Sequence, residues 1–331
     1  MTHSTPIWDT RGPSAHNANL LSIVLLSRGM PGLSKGVIRY MVTMAVADTM
    51  VCVFNVTVRN VFSYHFPNSF LAHTSTCRLT AFIQICSLQF SIWATVSFTI
   101  DRFIAICCQQ FKTKYCTKKS AAVVLTAVFV LAFLMHIPIY FMYEPIHTVG
   151  DVRWGCRTVT QYISSSAWQT YRWFSKLVTP LIPLPLMLLL NSLTVRHILL
   201  VSRARRALKR RGHNEVPDPE MTNRRTSIIL LFAISGTSIA LWTPVMIIDL
   251  CFDLTSTFAV DAPKSLYLAI RIAILLMYLN SCTNTCVYAL TQRRFREEVK
   301  KYLKLREQNK PHDLILTYMS LRGLFDRLGT E

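Results

Sequence analysis

A chain of 331 residues that is 51% hydrophobic and only 16% charged, with mean hydropathy +0.33, is too apolar for a water-soluble domain and reads as a polytopic membrane protein. The net charge of +19 would suit nucleic acid, but 27 of the 36 Lys and Arg fall in four segments: Arg28 to Arg39, Arg102 to Lys119, Arg196 to Arg225 and from Arg293 onward. These segments share one side of the spans assigned below, a positive-inside pattern that makes that side cytoplasmic and excludes a nucleic-acid partner.

Met1 to His16 is polar, lacks the apolar core of a cleavable signal peptide, and is expected outside the cell. The first span is short: Leu20 to Leu26 follows Asn17-Ala18-Asn19 and a stretch containing Asp9, Arg11, Gly12 and Pro13 that crosses lipid poorly. Either the gene model is incomplete or the first helix begins deep in the membrane. The second span, about Val37 to Val61, carries Asp48; an ionisable group among apolar residues is expensive in lipid, so it should face the bundle interior and be functional. The third contains roughly 22 uncharged residues between Arg78 and Asp101, enough at ~1.5 Å per residue to cross a core of about 30 Å.

The fourth span is Ala121 to Tyr143, followed by an outer loop, Glu144 to Ser166, with Trp154-Gly155-Cys156. The fifth, Trp168 to Leu200, contains Pro180, Pro183 and Pro185, and Arg203 to Arg211 extends it with a run of cations suited to anionic lipid. The sixth is Ser227 to Phe252 with Trp242-Thr243-Pro244, and the seventh Leu266 to Leu290 with Asn280, Asn284 and Tyr288. Phe295 to Leu305 then alternates cations with Phe295, Val299, Tyr302 and Leu303 as an amphipathic helix for the inner surface. The expected architecture is all-α: an outer segment 1–16, a seven-helix bundle 17–292 in the lipid bilayer, and a cytoplasmic amphipathic eighth helix and tail 293–331. Most of the ten cysteines, such as Cys52, Cys86, Cys251, Cys282 and Cys286, sit in apolar runs as small hydrophobes, whereas Cys77 and Cys156 lie at the oxidising outer face. No metal-binding or nucleotide motif and no nucleophile–base pair is evident, so an enzyme is not expected.

Cys77, the Asp101-Arg102-Phe103 triplet 24 to 26 residues on, and Cys156 resemble the third helix and second outer loop of class A (rhodopsin-like) G-protein-coupled receptors. The likeness covers about Asn19 to Lys304. Ser91-Ile92-Trp93, Thr99 to Ala105, Leu190-Asn191-Ser192 and Ala240 to Pro244 look closer still to the group containing probable G-protein-coupled receptor 139. The resemblance implies a Cys77–Cys156 disulfide, a cytoplasmic switch in which Arg102 releases from Asp101 to meet a heterotrimeric G protein, a toggle at Trp242 and Pro244, and an inward swing of Tyr288. It also implies that Asp48, Ser91, Asn280 and Asn284 form a sodium and water site, with oxygen ligands that suit a hard cation; beyond this allosteric ion no cofactor is expected.

Three positions depart from the class. Thr285 replaces the proline of the seventh-helix motif, Asn191 occupies the place of a fifth-helix tyrosine, and Arg224 stands where an acid often locks the sixth helix to Arg102. Gln84 and Val245 replace an acid and an arginine of the receptor 139 group. Asp249 and Arg271 remain to hold an amino acid's ammonium and carboxylate, or to pair with each other. Leu88, Phe174, Trp242 and Tyr278 give the pocket candidates a lining that suits a ring. Tyr278 holds the place of the retinal lysine of opsins, which excludes a light receptor. The function implied is a plasma-membrane receptor, amino end outside and carboxyl end inside, that transmits binding of an extracellular small molecule, an aromatic amino acid or a peptide-like compound, to a G protein of the Gq class. The rival readings are a non-signalling or truncated receptor relative and, behind it, an ion-coupled transporter.

Overall fold

The computed structural model describes residues 12–30, 33–55, 58, 69–209, 219–255 and 264–309. Helix α1 is Gly12–Ser27, α2 Lys35–Val51, α3 Thr74–Cys107 and α4 Lys118–Phe141. Helix α5 comprises Ser166–Lys176 and Pro183–Lys209 joined by a π turn, Leu177–Leu181. Helices α6, Pro219–Thr255, and α7, Lys264–Thr291, close the bundle, and α8 is Arg293–Asn309. Six of these, α2 to α7, are long and apolar enough to span a bilayer; the apolar part of α1, Asn17–Ser27, is shorter.

Local chemistry sets the inner ends. Ser34 caps α2 by accepting the Val37 N–H at 3.3 Å, and Thr117 caps α4 by accepting that of Ser120 at 3.1 Å, each leaving one fewer orphan donor at a helix start. Helix α4 turns Val123, Phe129, Leu131, Phe133, Leu134 and Phe141 outward, as lipid requires and water would forbid.

Among the described residues the core has two main storeys and a smaller outer cluster of Ala81, Ile139, Met142 and Tyr143. The inner one gathers Leu25, Met41, Met44, Phe98, Leu230, Ile234 and Tyr288, and is closed from below by Phe295 and Val299 of α8. The upper one gathers Val51, Leu88, Ile92, Leu184, Met187 and Trp242. Thus the apolar stripe of α8 is seated against the bundle, with Phe295 edge-on to Tyr288 at 6.1 Å; Arg293, Arg294, Lys300, Lys301 and Lys304 are exposed, while Arg296 turns in to the Ala289 and Leu290 carbonyls.

The outer loop folds into two short antiparallel ladders that sequence reasoning did not anticipate: Tyr143–Glu144 with Arg157–Thr158, and His147–Val149 with Val152–Trp154. Gly155 is required here: its φ is +66°, and a Cβ would meet the Ile146 side chain at 2.8 Å. Its N–H donates to the Ala72 carbonyl, and its own carbonyl accepts from Thr74 Oγ1, both at 2.7 Å.

Candidate functional site

At the outer end the Cys77–Cys156 disulfide is formed, tying the loop to the start of α3. Arg78, the next residue, donates to the Tyr143 carbonyl at 2.8 Å and lies over the Tyr140 ring. Beneath the loop, Leu88, Trp242, Val245 and Tyr278 meet in one apolar cluster, with Gln84 Nε2 donating to the Tyr278 hydroxyl at 3.3 Å. Three pocket candidates, Phe174, Asp249 and Arg271, lie outside it. Phe174 is 46% exposed, because its position on the upper half of α5 turns it away from the bundle axis. Arg271 is exposed and donates to Tyr267 Oη at 2.9 and 2.6 Å, one turn away on α7; it makes no ion pair with Asp249, which is half-buried on α6.

Lower down, Asp48 is fully buried. Its Oδ1 accepts from Ser91 Oγ and its Oδ2 from Asn284 Nδ2, both at 2.7 Å, so α2 is tied to α3 and α7 through one carboxylate. Ser281 sets a further hydroxyl beside it. Asn280, one turn above Asn284, is buried with no partner for its Oδ1 among the described residues, and Asn284 Oδ1 is likewise free. A carboxylate, two hydroxyls and two unpartnered amide oxygens are the hard oxygen donors that suit an alkali cation or water, and no group of three or more His, Cys, Asp or Glu side chains placed to hold a metal occurs among the described residues. Trp242 sits in the apolar storey above, its Nε1 also without a partner, one residue from the helix-bending stretch at Thr243 and Pro244; Thr243 Oγ1 donates back to the Ile239 carbonyl at 2.6 Å.

At the inner end, Arg102 is paired with Asp101 through both Nε and a terminal nitrogen, and both residues are buried. The other terminal nitrogen donates to Ser227 Oγ on α6 at 3.2 Å. The link between α3 and α6 is therefore made by a neutral hydroxyl rather than by an acid; the side chain of Arg224 lies outside the described residues. Cys116 Sγ donates to the Asp101 carbonyl at 3.3 Å, and burial, reinforced by the Asp101 charge, pushes its thiol up to about 11. Asn191 does not reach Tyr288: its Nδ2 donates to Ser235 Oγ at 2.8 Å and ties α5 to α6. Tyr288 is wholly buried with an unpartnered hydroxyl.

Sequence reasoning missed a clasp between α3 and α5. In the π turn the Ile182 N–H reaches back five residues to Leu177 O, so in the same register the Val178 carbonyl would need the N–H of residue 183, which is proline. Trp93 Nε1 supplies the missing donor at 2.9 Å, and Thr179 Oγ1 donates to Gln89 Oε1 at 2.5 Å one turn higher on α3. The available signal was three prolines within six residues, which must free carbonyls for something to satisfy.

A bundle of seven helices, six of them sized for a bilayer, with a buried polar centre, an outer disulfide and an acid–arginine pair at its inner end, defines a multi-pass membrane protein of the receptor type. The chain matches the family "7 transmembrane receptor (rhodopsin family)" over residues 17–288 and belongs to it. It is 23% identical to the melatonin receptor type 1B of Rattus norvegicus over 86% of this chain and 73% of that one. It is 26% identical to the melatonin receptor type 1A of Phodopus sungorus, over 86% and 75% of the two chains. The apelin receptor B of Danio rerio is 22% identical, over 74% of this chain and 66% of that one.

Proposed function

We propose that this protein is a plasma-membrane receptor, amino end outside and carboxyl end in the cytoplasm, that converts binding of a small extracellular ligand into activation of a heterotrimeric G protein. The observation that carries the reading is Arg102, held at the inner mouth by Asp101 on its own helix and Ser227 on α6. A cation so held is free to turn towards a partner once α6 moves, and binding above need only favour that arrangement over the resting one. Ser227 holds Arg102 in the place of the class's acid latch, so the tie is weak and basal activity is expected to be substantial.

The ligand chemistry follows from the upper cluster. Trp242 and Tyr278 offer ring faces, and Gln84 a neutral amide, which favour an aromatic amino acid or a small peptide-like molecule over a strongly ionic one. The likeness to the receptor 139 group favours the same ligand class and Gq. Asp48, Ser91, Asn280, Asn284 and Ser281 would hold a sodium ion or waters as an allosteric element, Trp242 and Pro244 would act as the toggle, and Tyr288 as the side chain that reorients. The test is a Gq-linked calcium screen with aromatic amino acids, on cells in which an epitope placed before Met1 stains without permeabilisation. A saturable response lost on Arg102→Ala is expected; surface staining with no response to any member of the class would refute the ligand assignment.

A further inference from the structure

Helix α7 carries two adjacent polar stripes, each of residues four apart. Asn280, Asn284 and the Ser281 hydroxyl belong to the Asp48 centre, whereas Thr285 and the Ser281 backbone carbonyl face α1. Four buried groups join there: Thr285 Oγ1 donates to Asn19 Oδ1 at 2.9 Å, Asn19 Nδ2 donates to the Ser281 carbonyl at 2.8 Å, and Ser22 Oγ lies 2.9 Å from Thr285 Oγ1. Thr285 has a single hydroxyl hydrogen and gives it to Asn19, so Ser22 is the donor to Thr285. The bonds run in one direction, Ser22 to Thr285 to Asn19 to the Ser281 backbone, and each polarises the next.

The position matters because a proline at 285 would have neither the hydroxyl nor the N–H that the Ser281 carbonyl requires four residues earlier. With threonine there, α7 runs unbroken from Lys264 to Thr291, and its inner half is bolted to α1. Below the bolt, Tyr288 and Gln292 keep buried polar atoms without partners among the described residues, and the polar contacts at this end, Arg296 to the Ala289 and Leu290 carbonyls, come from α8 rather than from α1. We propose that the Ser22–Thr285–Asn19–Ser281 relay is a brace that holds the inner half of α7 against α1 and sets how readily the bundle leaves its resting arrangement. Thr285 and Ser22 are its positioning residues. The signalling half of the inference rests on the receptor reading above.

The test uses the full chain in lipid nanodiscs, with spin labels on unnatural ketone residues at the exposed positions 27 and 290, so that the native cysteines stay in place. The wild type should give one narrow distance distribution, Thr285→Val and the milder Ser22→Ala a second, longer population, and Thr285→Ser, which keeps the hydroxyl, the wild-type pattern. Spontaneous nucleotide exchange on added G protein should rise roughly three-fold for each bond lost, the usual worth of one hydrogen bond between membrane helices. Unchanged distances in folded Thr285→Val and Ser22→Ala would overturn the brace. A second population without faster exchange, in a receptor whose wild type couples, would overturn its role in signalling. Failure of the wild type to couple to any G protein would sink the receptor reading instead, and the distances alone would still decide the brace.

Discussion

Replacing Trp93 by phenylalanine should loosen α5 from α3, and the structure sets the size of the effect. The substitution keeps a ring but removes the indole N–H that donates to Val178 O at 2.9 Å, and Pro183 leaves that carbonyl no backbone donor in the π register. An unpaired buried acceptor costs about 1–3 kcal/mol in proteins generally, and bonds between membrane helices average ~0.6 and reach about 1.7 kcal/mol, so ~1–1.5 kcal/mol is expected here. For a bundle of this size that lowers Tm by about 2–6 °C. Unfolding of detergent-purified protein can be followed with a thiol-reactive dye, since Cys52 is buried and the other seven free cysteines are partly or fully shielded except Cys251 and Cys286. Lost ring volume would confuse a single substitution, so the decisive comparison is a cycle with Pro183→Ala, which restores a backbone N–H able to serve Val178. In that background Trp93→Phe should cost markedly less. Equal costs in both backgrounds would refute the claim that Trp93 stands in for the proline's missing donor.

Three further outcomes are expected. Asp48→Asn keeps the shape but halves the oxygen donors of the carboxylate and removes its charge; sodium chloride at about ten times its dissociation constant should stabilise the wild type by ~1.4 kcal/mol over choline chloride, and the variant hardly at all. Ser227→Ala removes the neutral tie between Arg102 and α6, and basal calcium signalling in cells should rise roughly three-fold at matched surface expression. Alkylation of Cys116 should be slow at neutral pH and accelerate about ten-fold per pH unit up to about 11, because a raised thiol pKa leaves less thiolate at any lower pH; peptide mapping after timed iodoacetamide treatment would show it, and a rate already flat by pH 9 would contradict the buried placement.

Much of the bundle was legible because a span is an additive signal: about twenty apolar residues announce themselves whatever they touch, as α3 and α4 did. Asp48 was legible for the converse reason, since a carboxylate in an apolar run must find donors, and it finds Ser91 and Asn284. What the sequence hides is rotation about each helix axis. Nothing in the run around Phe174 or Arg271 says that one faces outward and the other turns to its own neighbour Tyr267, because a few tens of degrees decide it. Nor does a threonine in place of a proline declare what its hydroxyl will meet; the Asn19–Thr285 bond joins residues 266 apart in the chain. The outer-loop ladders escaped notice because strands of two and three residues are too short to carry a period.

The central claim is that Arg102 at the inner mouth couples this bundle to a G protein. The most direct measurement is guanine-nucleotide exchange on purified heterotrimers, Gq first, by the full chain in nanodiscs, with Arg102→Ala alongside and thermal unfolding to show that both are folded. The wild type should accelerate exchange above the heterotrimer alone and the variant should not; equal rates for a folded wild type, a folded variant and the heterotrimer alone, across every G-protein class, would contradict the account.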